Sequence, residues 1–122
     1  MQINEQNYNI TTYQWDYEFP VRFEATRDNG FKQGDELLIE MGAPLGAREP
    51  VVIDSDDFEF YFALTKEEAD SVYSQPIKNQ LSIPYTVKRR FITRRDGQDV
   101  EVLDTLFNAF IIFKSTLKWE GD

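Results

Sequence analysis

The densest cluster of cationic side chains in this sequence is KRRFITRR, where Lys88, Arg89, Arg90, Arg94 and Arg95 surround Phe91 and Ile92 within eight positions. Guanidinium groups beside an aromatic ring suit stacked bases with their phosphates, or carboxylates on another protein. In an extended chain, alternation puts Arg89 and Phe91 on one face and Lys88, Arg90 and Ile92 on the other, with Arg94 and Arg95 approaching the tip of a hairpin. A third role for such charges is edge protection, since they discourage a long hairpin from pairing with stray strands. The net charge of −9 repels nucleic acid over most of the surface, and no recognition-module motif is present. Docking on a protein, or edge protection, therefore ranks above nucleic-acid binding.

The acidic counterpart is Asp54, Asp56, Asp57 and Glu59. Calcium takes several oxygen ligands from a flexible loop, but this run lacks the central Gly and closing Glu of an EF-hand. Asp and Ser are also the ordinary residues of inter-strand turns, and that reading is preferred. With 22 acids in the chain, a carboxylate pair for glycoside hydrolysis has no distinguishing spacing. The chain has no Cys and no His, which excludes thiol catalysis, disulfides, thiolate zinc, iron–sulfur clusters, Ser–His–Asp triads and imidazole ligands. The six Gly form neither a dinucleotide fingerprint nor a Walker loop; Gly42 and Gly46 are not followed by Lys-Ser or Lys-Thr. No residue set proposes a reaction, so no catalytic residue, metal site or cofactor is expected. Trp15 and Trp119 are read as core or interface anchors.

The elements that would position the basic run follow from period-two patterning. Residues 80–93 alternate, with Leu81, Ile83, Tyr85 and Val87 on one side and Ser82, Pro84, Thr86 and Lys88 on the other. Asp96-Gly97 is a strong hairpin signal. The chain then returns through Val100 and Val102 into residues 105–113 and ends with residues 115–119. Upstream, residues 16–26 alternate Tyr17, Phe19, Val21, Phe23 and Ala25 with polar positions, and Pro20 on the outward set indicates an edge strand or a bulge. Asp28-Asn29-Gly30 reads as a turn. Residues 35–41 form the next strand, with Leu37, Ile39 and Met41 on one face, followed by a loop at 42–50, a short strand at 51–54, a turn at 55–57 and a β segment in FEFYFA. There Phe58, Phe60 and Phe62 oppose Glu59 and Tyr61. One helix is expected at 66–72, where Thr65 and Glu68 have capping-box spacing and Pro76 follows.

At 122 residues the chain is one domain, able to bury about two-thirds of its extended surface. Ten Phe and six Tyr are too many for a disordered chain. No apolar run reaches the ~18 residues of a membrane helix, and the N-terminus lacks a signal-peptide pattern, so an intracellular or assembled product without a membrane partner is expected. Residues 1–14 are read as an extended arm or a strand. Charge is uneven: residues 1–60 hold 13 acids and 4 bases, residues 61–122 hold nine of each. The acidic half and the basic strip are either complementary patches between subunits or simply solvated faces.

The order in the second half carries a resemblance. The β segment at 58–63 runs into Leu64-Thr65-Lys66-Glu67-Glu68-Ala69-Asp70. After a loop come Tyr85-Thr86-Val87-Lys88-Arg89, the Asp-Gly hairpin, and Thr105-Leu106-Phe107-Asn108-Ala109-Phe110-Ile111-Ile112. Over residues 15–115 this resembles the small immunoglobulin-like β-sandwich domains of tailed-phage virions, such as the N-terminal domain of baseplate upper proteins and related tail or head-fibre domains. Those domains often carry Gly where this chain has Asn108. The resemblance implies an all-β, immunoglobulin-like antiparallel sandwich with one short helix. It also implies a non-enzymatic structural role in the virion, as a tail or baseplate adaptor or a head decoration. The implied partners are other virion proteins, within a symmetric homo-oligomer; the basic run itself points to docking through Lys88, Arg89, Arg90, Phe91, Arg94 and Arg95 on an acidic surface of a neighbour. Two alternatives from other classes are a small acidic inhibitor that mimics DNA on a host nucleic-acid enzyme, and a carbohydrate-binding module.

Overall fold

Alternating side chains commit most of this chain to strands. The computed structural model, which describes residues 1–14, 16, 19–26, 32–55 and 57–115, is mostly β with one helix. Its strands are β1 (Gln2–Ile3), β2 (Ile10–Thr12), β3 (Val21–Thr26), β4 (Glu36–Met41), β5 (Val51–Val52), β6 (Asp57–Phe62), β7 (Gln80–Arg95) and β8 (Gln98–Lys114); helix α1 (Lys66–Tyr73) lies between β6 and β7. Six strands form one sheet in the order β1-β2-β8-β7-β4-β5, and β3 and β6 form a second, antiparallel pair.

The large sheet is mixed, which departs from the antiparallel arrangement expected. β2 runs parallel to β8, pairing Ile10 with Ile111, Thr11 with Ile112 and Thr12 with Phe113. A parallel neighbour needs a long connection, and here residues 13–97 supply it. The N-terminal segment is accordingly a hairpin rather than an arm, with β1 antiparallel to β2. Its polar loop is held by its own asparagines. Asn4 Oδ1 accepts from the backbone N–H of Gln6 at 2.8 Å, Asn7 Oδ1 from that of Asn9 at 3.0 Å, and Asn9 Oδ1 from that of Phe110 at 2.9 Å. Tyr8, at φ 64°, stacks on Phe107 with centroids 4.2 Å apart.

The core lies between the inner face of the large sheet and a layer made of β3, β6 and α1. Leu37, Ile39 and Met41 of β4 and Ile83, Tyr85 and Val87 of β7 are buried on the expected parity, and Ala109, Ile111 and Phe113 of β8 are buried beside them. They meet Val21, Phe23, Phe62, Leu64 and Val72 in one cluster. Each of the larger side chains contributes about 1.5–3 kcal/mol by leaving water. Two positions depart from the alternation. β3 starts at Val21, because Pro20 has no N–H to give a ladder, and Phe19 stays 63% exposed instead of continuing the inward set. The side chains of Tyr17 and Ala25, the Asp28-Asn29-Gly30 turn, Asp56, and residues 116–122 lie outside what is described.

Helix α1 forms where the capping box places it. The Thr65 hydroxyl accepts from the Glu68 N–H at 3.1 Å, and the Glu68 carboxylate accepts from the Thr65 N–H at 2.9 Å. Ala69 and Val72, three apart, bury one face, and the helix runs one residue past the expected end before Ser74 caps it. A second device anchors its N-terminus. Arg48, in the loop after β4, donates to both Glu68 oxygens at 2.6 and 3.1 Å and to the Ala63 carbonyl at 2.8 Å, with its guanidinium 4.8 Å above the Phe62 ring.

Candidate functional site

The basic run occupies the outer half of a long β-ribbon. β7 and β8 pair from Gln80–Lys114 to Arg95–Gln98, and Asp96 (φ 54°) and Gly97 (φ 78°) close a two-residue turn of the kind that matches strand twist. A register shift between Val87 and Lys88 leaves Leu106 as the extra residue of a bulge in β8, which bends the ribbon. β4 flanks β7 from Tyr85 to Arg90, and β2 flanks β8 from Ile111 to Phe113. Among the described residues no third strand flanks the ribbon beyond Arg90, so five residues of β7 and their partners, roughly 17 Å of strand, project as two strands alone.

Most of the basic charge on this ribbon is matched within the chain. Arg90 lies directly opposite Glu36 and pairs with it at 2.5 Å, with Glu101 a further 3.6 Å away. Lys88 reaches Glu40 at 2.9 Å. Arg89 reaches Asp35 at 3.1 Å, and these two side chains are only 14% and 9% exposed. The same Asp35 carboxylate accepts from the Lys32 N–H at 2.9 Å, and the Arg89 guanidinium sits 4.0 Å above the Phe91 ring. Within the chain, the acidic partners of Lys88, Arg89 and Arg90 are thus Glu40, Asp35 and Glu36, at and before β4. Sequence reasoning missed those three acids, because the signal was a pairing between distant strands and not a local pattern. Glu36 opposite Arg90 in antiparallel register would have indicated it.

The tip differs. Arg94 pairs with Asp99 at 3.3 Å and donates to the Gly97 carbonyl at 3.0 Å, but both partners are more than two-thirds exposed and such a pair contributes little. Arg95 is exposed and pairs with no acid among the described residues. Phe91 is half-buried under Arg89, whereas Ile92 is 63% exposed on the opposite face. Leu103 (51%), Phe110 (47%) and Val52 (57%) share that outward side of the sheet with it. The outer face is therefore a set of apolar side chains separated by ion pairs already formed.

Of the acidic candidates, Asp56 and the Asp57 side chain lie outside the described residues. Glu59 pairs with Arg22 at 2.9 Å and accepts from the Tyr61 hydroxyl at 3.1 Å, and Asp54 is exposed. Among the described residues no three carboxylates gather as metal ligands. Two phenols stand out, Tyr85 buried and Tyr73 partly buried. Burial raises the pKa of Tyr85 and of Tyr73, with Asp16 and Tyr13 adding to the effect at Tyr73. Both hydroxyls donate to backbone carbonyls, Tyr85 to Tyr8 and Tyr73 to Lys114 at 2.8 Å, so they tie the N-terminal hairpin and β8 to the core. Trp15 and Trp119 lie outside the described residues. Comparison of the chain with protein-family models, with curated proteins and with solved structures gave no match.

Proposed function

We propose that this chain is a non-enzymatic docking component of a bacteriophage virion, in a tail, a baseplate or a head decoration, and that it docks other virion proteins through the β7–β8 ribbon. The observation that carries the docking role is the projecting two-strand tip, where exposed Arg94 and Arg95 stand beside exposed Ile92 and Leu103. Apolar anchors beside unburied guanidinium groups are the composition of a protein-binding patch. Placement in a virion rests on the resemblance of the strand order to tailed-phage domains, as does the finer reading of the two-layer fold as an immunoglobulin-like sandwich. A symmetric homo-oligomer suits such a patch, because repetition multiplies weak contacts. Mimicry of DNA is disfavoured, since Asp35, Glu36, Glu40 and Glu59 are each paired with a basic residue of the same chain.

The test is charge reversal confined to the tip. Arg94→Glu with Arg95→Glu is expected to abolish incorporation into particles, read by mass spectrometry of purified virions, while the far-ultraviolet circular dichroism spectrum stays unchanged. Normal incorporation of the folded double variant would remove the ribbon tip from this role.

A further inference from the structure

Among the described residues, the β8 side of the ribbon is an open strand edge short of Ile111. Between Gln98 and Ala109 no described strand pairs with β8 except β7, and β2 joins only at Ile111. The two-residue turn fixes which backbone groups face outward. Arg95 and Gln98 flank it as a hydrogen-bonded pair, so Arg94–Asp99, Ile92–Glu101, Arg90–Leu103 and Lys88–Thr105 are non-bonded pairs whose N–H and C=O groups point away from each other. On β8 the N–H and C=O of Asp99, Glu101, Leu103 and Thr105 therefore face the open side. Asn9 Oδ1 accepting from the Phe110 N–H shows the same side being used one step farther along.

We infer that this edge pairs antiparallel with the β8 edge of a second copy of the chain, about a twofold axis at Leu103. The inference rests on the reading of the ribbon as a docking element and names one partner for its β8 side. Three observations select a second copy. First, centring on Leu103 places Leu103 against Leu103 and Glu101 against Thr105. The outward-facing backbone groups then meet in register, giving about six main-chain hydrogen bonds before the Leu106 bulge ends the ladder. Second, no acid stands directly opposite an acid, the two copies of Asp104 being diagonal neighbours only. Asp104 falls opposite Val102, while Glu101 and Asp99 are countered by Arg90 and Arg94 of their own ribbon at 3.6 and 3.3 Å. The β7 edge would instead set Arg94 and Arg95 of both copies close together. Third, β2 of the mate pairs only with Ile111–Phe113 and the mate's Asn9 and Tyr8 lie at Phe110 and Phe107, so among the described residues the stretch from Glu101 to Thr105 stays open. The edge also carries no Pro and no Lys, the residues that commonly prevent such pairing.

The contact is smaller than the ~800 Å² per partner of a stable complex, so the dimer is measured at high concentration, about 100 µM. Light scattering is expected to give twice the 14.3 kDa chain mass, falling to the monomer in Leu103→Lys with an unchanged circular dichroism spectrum. Because the chain has no Cys, Leu103→Cys provides a single thiol and is expected to cross-link on oxidation. Glu101→Cys is not, since its two copies stand roughly 14 Å apart, beyond disulfide reach. A monomeric parent, a Leu103→Lys dimer, or cross-linking at Glu101→Cys in preference to Leu103→Cys would each overturn this pairing. A monomeric parent whose Arg94→Glu, Arg95→Glu variant still loses its place in particles overturns the self-pairing and leaves the docking role standing. A dimer whose tip variant enters particles normally does the reverse.

Discussion

One carboxylate, that of Glu68, serves both the start of helix α1 and the loop after β4: it accepts from the Thr65 N–H and takes two N–H groups from Arg48. Helix capping and loop anchoring are therefore a single device. Arg48→Ala and Glu68→Ala are each expected to cost about 1–3 kcal/mol, lowering the melting temperature by roughly 4–12 °C. A double-mutant cycle read by thermal denaturation should give a coupling of at least ~0.5 kcal/mol. Additive losses would show that the cap and the loop act separately.

Arg89 and Arg94 belong to one basic run and should respond in opposite ways. Arg89 is nearly buried against Asp35, so Arg89→Glu sets two carboxylates together in a dry site and is expected to cost about 3–5 kcal/mol, read by urea denaturation. Arg94→Glu, on an exposed pair, should stay within about 0.5 kcal/mol of the parent. A charge-reversal set that included Arg89 would confuse lost docking with lost folding.

Tyr85 gives the fold an alkaline limit. Burial raises its pKa above the ordinary phenol value, so above about pH 10 the unfolded chain releases a proton that the folded chain holds. This contribution is complete below pH 10 and is lost as pH rises toward the folded pKa, by up to about 1.4 kcal/mol per pH unit. Tyr85→Phe should be about 1 kcal/mol less stable at pH 7, having lost its bond to the Tyr8 carbonyl, yet show a shallower decline between pH 10 and 11 in denaturant titrations.

At the ribbon tip, Gly97 sits at φ 78° with open space around it, so an added Cβ meets backbone strain and no neighbour. Gly97→Ala is expected to cost about 1 kcal/mol, seen as a fall of roughly 4 °C in melting temperature. The core is remote, so the near-ultraviolet signal should not change.

Local chemistry made the long elements readable in advance. Leu81, Ile83, Tyr85 and Val87 recur at the period of a strand, Asp96-Gly97 has one favoured turn, and Thr65 with Glu68 is a helix start whatever surrounds it. Phe19 misled because apolar parity continued across Pro20, where the missing N–H outweighs the pattern. The N-terminal hairpin was harder to foresee. Its residues are polar, and it is held by Asn9 bonding Phe110, Tyr8 stacking on Phe107 and β2 lying along β8, contacts made a hundred residues away. The pairing of Asp35, Glu36 and Glu40 with Arg89, Arg90 and Lys88 was hidden for the same reason. Charge read along a chain does not disclose which strands become neighbours.

Placing β2 beside β8 also dictates when folding can finish. The β7–β8 hairpin can zip from its own turn, but Ile10 has no seat until Ile111 has left the ribosome. During synthesis β2, paired only with β1, waits for β8 while the roughly one hundred residues between Ile10 and Ile111 are made, and such distant closure slows folding. A polar, self-bonded asparagine loop is a safe form for that segment to wait in, since it offers other nascent chains little to stick to.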